Sequence, residues 1–272
     1  MAPNYTNNPY ALGFQIREDG SVEFQCSLSV ETLPWLNLPP HHPVVIQTQA
    51  FWTAVGASVA LAGMEATQWS ALTWIEWELG DSEGGHATHG EYRRNEQDKH
   101  PHYEIILLNA ASQPVVTIQG RGVVFRNRNF EKWREGSKEA ARKEKPHVEF
   151  GYAAPGDLGL TEEERALVAP FNPDNGFVEA LVTAENGFPP GNPVIGGSGD
   201  HVNSTHFHEI ARQALCLIKG RTDIDTSGEM SLNRYVELGT PLRLHIRTDE
   251  ANRMTFELEQ MGKACAEITL RW

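Results

Sequence analysis

Positive charge is scarce in this chain. Lys and Arg number 23 against 36 Asp and Glu, a formal net charge of -13, which suits neither DNA nor RNA as a partner. Apolar runs are short: none reaches the length that spans a bilayer, so no membrane partner is expected. Met1 to Asn8 lacks the basic-then-apolar plan of a signal peptide. Cysteine is sparse as well. The three, Cys26, Cys216 and Cys265, are odd in number and far apart, as expected of reduced thiols in a cytoplasmic protein rather than a disulfide framework. The run Gly196-Gly197-Ser198-Gly199 has neither the dinucleotide fingerprint spacing nor a P-loop lysine, which excludes the common nucleotide folds. It reads as a turn or lid over a pocket mouth.

What the chain does contain is a repeated order of elements. Tyr10 to Ser29 alternates around Glu18-Asp19-Gly20 as a strand pair. After a proline-rich loop holding His41 and His42, Val44 to Leu61 carries no charge and predicts a buried helix. Met64 to Leu79 predicts a strand, Gly80 to Pro101 a polar turn region, and Tyr103 to Leu108 with Pro114 to Phe125 a long hairpin. The order returns later: strand Phe177 to Ala184, a Gly/Pro-rich loop, a helix from Thr205 to Ile218, then strands over Tyr235 to Arg247 and Met254 to Trp272. The closing hairpins align at a constant offset, Leu108 with Leu258, Val116 with Ala266 and Ile118 with Ile268, as an internal duplication requires. Asn127 to Pro146 mixes Arg, Lys and Glu at helical spacing and predicts a solvated connecting helix. The expected organisation is a first repeat over 1–126, a linker with a helix over 127–175, and a second repeat over 176–272.

The chemistry concentrates at the mouth of the second helix. Asp200, His201, His206, His208, Glu209, Arg212 and Gln213 fall within fourteen residues. Phe207, Ile210, Ala211, Ala214, Leu215 and Ile218 recur at three and four, so one face is buried. Asn203, Ser204 or Thr205 serves as N-cap, and Arg212 and Gln213 lie one turn beyond Glu209 on the helix surface. A core-facing helix with so many polar groups must pair them or line a cleft, because burying them unpaired costs several kcal/mol. A metal site is not expected. His206 and His208 diverge by about 200 degrees around a helix, and the alternative set, His86, His89, His100 and His102, falls in a polar loop region.

An α+β chain in which a long antiparallel sheet wraps a central apolar helix, twice in tandem, resembles the double hotdog fold. The motif Asp200-His201-Val202, six residues, then Glu209-x-x-Arg212-Gln213, with Glu179-Ala180-Leu181-Val182-Thr183 upstream, is similar to the A-factor biosynthesis hotdog family. Two departures stand out. Asn203-Ser204 replaces the Pro-Gly step common in hotdog dehydratases, and no acidic residue lies between Glu31 and Glu65, so a second, symmetry-related site is expected to be dead.

The resemblance implies a pocket between the halves for an acyl chain carried as a thioester on coenzyme A or an acyl carrier protein. It implies dehydratase or hydratase chemistry with Glu209, His42 and His201 as catalytic residues, and His41, Asp200, His206, Arg212 and Gln213 binding substrate. No cofactor is implied. Condensation or cyclisation in a butyrolactone-like or polyketide pathway, thioester hydrolysis, and non-catalytic acyl binding are the alternatives. A tandem hotdog contains its own pseudo-dimer, so a monomer or a homodimer is expected. The basic residues Arg121, Arg126, Arg128, Lys132 and Arg134 form either a site for carrier phosphates or a solvated helix face.

Overall fold

The structure, a computed structural model, describes residues 5–125, 130–143, 149–196 and 199–272. The chain forms two compact units, Met1–Arg128 and Asn129–Trp272.

The first unit contains β1 (Ala11–Ile16), β2 (Val22–Cys26), α1 (Pro43–Ala60), β3 (Trp69–Leu79), β4 (His89–Asn95), β5 (His102–Leu108) and β6 (Pro114–Phe125). Its strands lie in the order β1-β2-β4-β5-β6-β3, each pair antiparallel. Pro43 opens α1, where its missing N–H costs nothing and its φ suits a helix, and the His42 ring accepts from the Val44 amide at 3.2 Å. α1 packs across β1, β4 and β5, burying Val44, Val45, Ile46 and Ala57. Gly56 allows the close approach: a Cβ there would lie 2.3 Å from Phe14 Cζ.

The second unit contains α2 (Phe130–Lys143), β7 (Phe177–Ala180), the single turn α3 (Ala184–Gly187), α4 (Ser204–Lys219), β8 (Ser227–Leu232), β9 (Leu242–Glu250), β10 (Arg253–Gln260) and β11 (Lys263–Arg271). Its antiparallel strand order is β8-β11-β10-β9-β7. α4 packs on β11 and on the 3-10 turn Pro155–Leu158. Ile210, Ala211, Ala214 and Leu215 are fully buried, the stripe the spacing predicts. Gly220 in the left-handed region ends the helix.

The units repeat one topology. The order β2-β4-β5-β6-β3 answers β7-β9-β10-β11-β8, with the long helix after the first strand each time. The hairpins β5/β6 and β10/β11 correspond, yet only one strand keeps the offset of 150. Leu107 pairs with Val116 and Leu258 with Ala266, and both hairpins then bulge, skipping Val115 and Cys265. The residue of the first hairpin that corresponds to Leu258 is therefore Leu107 and not Leu108, because the first turn carries one residue more. Val116 with Ala266 and Ile118 with Ile268 stay in register.

Some expectations need correcting. Gly80 to Pro101 contains β4, whose Gly90 and Tyr92 alone are buried among charged neighbours. β8 has no strong sequence signal either, since Gly228 and Met230 carry its inward face. The expected strand over Tyr235 to Arg247 begins only at Leu242, and that over Phe177 to Ala184 ends at Ala180. α2 exists, but it is not solvated throughout: Arg134 and Ala141 are buried.

Candidate functional site

Asn203 caps α4, its side chain accepting from the Thr205 and His206 amides at 3.1 and 3.3 Å. Those amides are thus spent inside the protein rather than presented to a ligand. His206, fully buried, sends Nε2 to the Gly187 carbonyl at 3.0 Å, receives the Asn203 amide at Nδ1 at 3.3 Å and packs on Phe188. Burial pushes its pKa down to about 4, so it is a neutral structural latch between α4 and α3. His208 is also fully buried, with Nε2 3.4 Å from Thr226 Oγ1. The two imidazoles face different partners, as their helical spacing requires.

Glu209 is 2 % exposed and sits in a polar network. Arg212 donates Nη2–H to Oε1 at 2.6 Å and Nε–H to Oε2 at 2.9 Å, and Gln213 adds Nε2–H to Oε1 at 2.8 Å. Gln213 also donates to the Arg165 carbonyl and accepts from the Leu167 amide, tying α4 to the segment before β7. Arg212 reaches the Leu158 carbonyl at 3.2 Å and Glu164 Oε1 at 3.5 Å. Burial works against its charge, but Glu209, Cys216 and Glu164 outweigh it and hold the guanidinium above its ordinary value. Glu164 carries no distinct signal in the sequence: Glu162-Glu163-Glu164-Arg165 is a charge run of the kind that usually faces water, and only the fold turns its third carboxylate inward. Burial pushes the Cys216 thiol up, against any nucleophilic use.

A second network holds Asp200 and His201. Asp200 Oδ1 meets His201 Nδ1 in a short hydrogen bond, while Oδ2 accepts from Arg134 at 2.6 Å and Lys138 at 3.2 Å. Arg134 donates further to the Asp200 carbonyl at 3.2 Å and to the buried Glu237 carboxylate. Burial disfavours the Asp200 carboxylate, but His201, Arg134 and Lys138 hold its pKa well below the usual range. A carboxylate only accepts, so the bonded nitrogen, Nδ1, carries a proton, and in a neutral His201 ring the lone pair is then at Nε2.

His41 and His42 belong to the first unit. The buried His41 donates Nε2–H to the Val115 carbonyl at 3.0 Å, a structural bond to the β6 bulge. The His42 Nδ1 accepts a backbone amide, so a neutral ring carries its proton at Nε2, the reverse of His201. Counted from the N-caps His42 and Asn203, the sixth residue is Thr48 in α1 and Glu209 in α4: the cap imidazole and the helix carboxylate occur once each, on opposite repeats.

The remaining candidates disperse. His86 is half-buried against the Leu36 and Leu38 backbone, His89 bonds Thr88, and His102 bonds Asn95 and the His100 carbonyl. Of the basic cluster, Arg121 stacks on Trp74, Arg134 is internal, and Arg126 and Arg128 lie outside the described residues. So do Gly197 and Ser198 of the expected lid.

No family model and no curated protein sequence matches the chain. Solved structures do. The dehydratase domain of RzxB from Pseudomonas fluorescens matches 97 % of this chain with 98 % of its own, at 10 % identity and a TM-score of 0.54. An acyl-ACP thioesterase from Bacteroides thetaiotaomicron matches 93 % with 96 %, at 12 % identity and TM-score 0.53. The dehydratase domain from the CurJ module of curacin polyketide synthase matches 97 % with 96 %, at 11 % identity and TM-score 0.50. With the repeated strand order and the helix behind each first strand, these matches make the chain a double hotdog protein.

Proposed function

We propose that the protein processes an acyl thioester, delivered on coenzyme A or an acyl carrier protein, by dehydratase or hydratase chemistry. The observation that carries this reading is the uneven split of reactive groups between equivalent helices. The first repeat has an imidazole at the helix cap and Thr48 six residues on, whereas the second has Asn203 at the cap and Glu209 six residues on. The resemblance to hotdog dehydratases implies the same division, a histidine ahead of one helix and a carboxylate on the other.

Dehydration removes a proton from the carbon beside the thioester carbonyl and protonates the departing hydroxyl, so it needs a base and an acid. The hydrogen bonds of each ring suggest the roles. His201, with Nδ1–H held by Asp200, takes the role of base through Nε2. His42, with Nδ1 held by the helix amide, takes the role of donor through Nε2–H. Glu209 is the carboxylate of the proposed acid–base set, and Arg212 and Gln213 keep its oxygens in place.

The test is incubation with crotonyl, 3-oxoacyl and saturated acyl thioesters, following hydration, condensation and free thiol separately. Hydration of the crotonyl thioester, lost in Glu209→Gln, is the expected result. Thiol release alone would assign a thioesterase, and product from the 3-oxoacyl thioester a condensing enzyme. Thermal stabilisation without turnover would make the protein an acyl-binding module.

A further inference from the structure

We infer that Arg134, from the helix that the sequence offers as a mere connector, is a positioning residue that sets the orientation and tautomer of His201 through Asp200. Its use in turnover rests on the reading above; its geometry does not. Arg134 is 1 % exposed, which is rare for a guanidinium and tolerable only when it is paired and hydrogen-bonded. It satisfies both conditions inside the second unit. One arm takes Asp200 Oδ2 and the other spans the Asp200 carbonyl and the Glu237 carboxylate. Its face lies 5.0 Å from the Tyr235 ring centroid, and the Tyr235 ring in turn meets His201 edge-on at 4.9 Å.

Each contact constrains the same imidazole. Arg134 and, one turn along α2, Lys138 occupy Oδ2, which leaves Oδ1 as the oxygen that accepts the His201 Nδ1–H. The bond to the Asp200 carbonyl fixes the backbone from which both side chains spring. Tyr235 is held between the guanidinium and the imidazole, limiting rotation of the ring. Glu237 is anchored independently, its amide donating to Gln260 Oε1 at 2.8 Å and its carbonyl accepting from Gln260 Nε2–H at 3.0 Å, so Arg134 is referenced to the end of β10. The arrangement follows the logic of a carboxylate that orients a catalytic histidine, with the guanidinium orienting the carboxylate.

Removing Arg134 alone strands the buried Glu237, and that variant can fail to fold. The test therefore uses Arg134→Gln combined with Glu237→Gln, and separately Arg134→Lys, which keeps the charge but loses the fork. The primary readout is the 15N signals of the His201 ring, which report the tautomer without any substrate. In the wild type the Nδ1–H form is expected to dominate. In the folded double variant the Nε2–H form is expected to rise to a comparable population, with Arg134→Lys between the two. An unchanged tautomer in the double variant, or an Nε2–H ring in the wild type, overturns the inference. Turnover is read alongside: a fall of about tenfold or more in kcat at near-constant KM is expected where His201 is the base. A tautomer shift with unchanged kcat would leave Arg134 as the positioning residue and remove His201 from the proposed reaction.

Discussion

Arg212 grips Glu209 from one turn away on the same helix, with separate nitrogens on the two carboxylate oxygens at 2.6 and 2.9 Å. Pairs three apart on a solvated helix are worth a few tenths of a kcal/mol. Here both partners are buried, and the consequence of breaking the pair is different in kind.

Arg212→Met should destabilise the protein by about 3–5 kcal/mol, because it leaves a buried carboxylate without its countercharge. Arg212→Met with Glu209→Leu should recover most of that loss. Urea unfolding of the two variants checks this. A single-variant loss below about 1 kcal/mol would mean that Glu209 escapes to water.

His42 performs a structural task and, in the proposed function, a chemical one, and two substitutions separate them. His42→Ala removes the cap of α1 and should cost about 1 kcal/mol as well as more than about a hundredfold in turnover. His42→Asn preserves a capping side chain and should melt near the wild type while losing the same activity. Full turnover in His42→Asn removes the imidazole from the reaction.

Stability should fall on mild acidification through His206. Its pKa is lowered by burial to about 4 from an ordinary 6.5, so between those values the unfolded chain binds a proton that the folded one refuses. Stability is therefore full above about pH 6.5 and declines toward pH 4, by about 3 kcal/mol over the window. In His206→Asn the slope contributed by this group should vanish. Denaturant midpoints at intervals of pH in the two proteins decide it; equal slopes would show that His206 is protonated in the fold.

A backbone contact gives a prediction independent of function. Gly191 lies so close to the carbonyl of Glu185 that an added Cβ would stand 1.7 Å from that oxygen. Gly191→Ala should lower the denaturant midpoint by an amount equivalent to about 2 kcal/mol or more, since backbone must move to admit it. A midpoint within error of the wild type would show that the loop after α3 yields freely.

Much of the fold was legible in the sequence because its strongest signals are local. The uncharged stretch after Pro43 and the three-four spacing from Phe207 to Ile218 each mark a helix whatever the rest of the chain does, and both long helices lie where those patterns put them, although Thr205 to Cys216 is buried on every side and not on the apolar stripe alone. The tandem order of elements and the correspondence of the two closing hairpins were visible for the same reason. Register was not: one extra residue in the turn after β5 shifts Leu107, not Leu108, opposite Val116, and alternation alone fits either neighbour.

Glu209, Arg212 and Gln213 were readable as one surface because helical spacing places them there. The tertiary structure alone decided what completes them and what orients the histidines. Arg134 meets partners 66 and 103 residues away, and Arg212 meets Glu164 across 48 residues in the reverse direction. In sequence both Arg134 and Glu164 sit in mixed charge runs of the kind that usually face water. A side chain is buried and charged only when the fold supplies its countercharge, and that pairing depends on distant segments that no local pattern records.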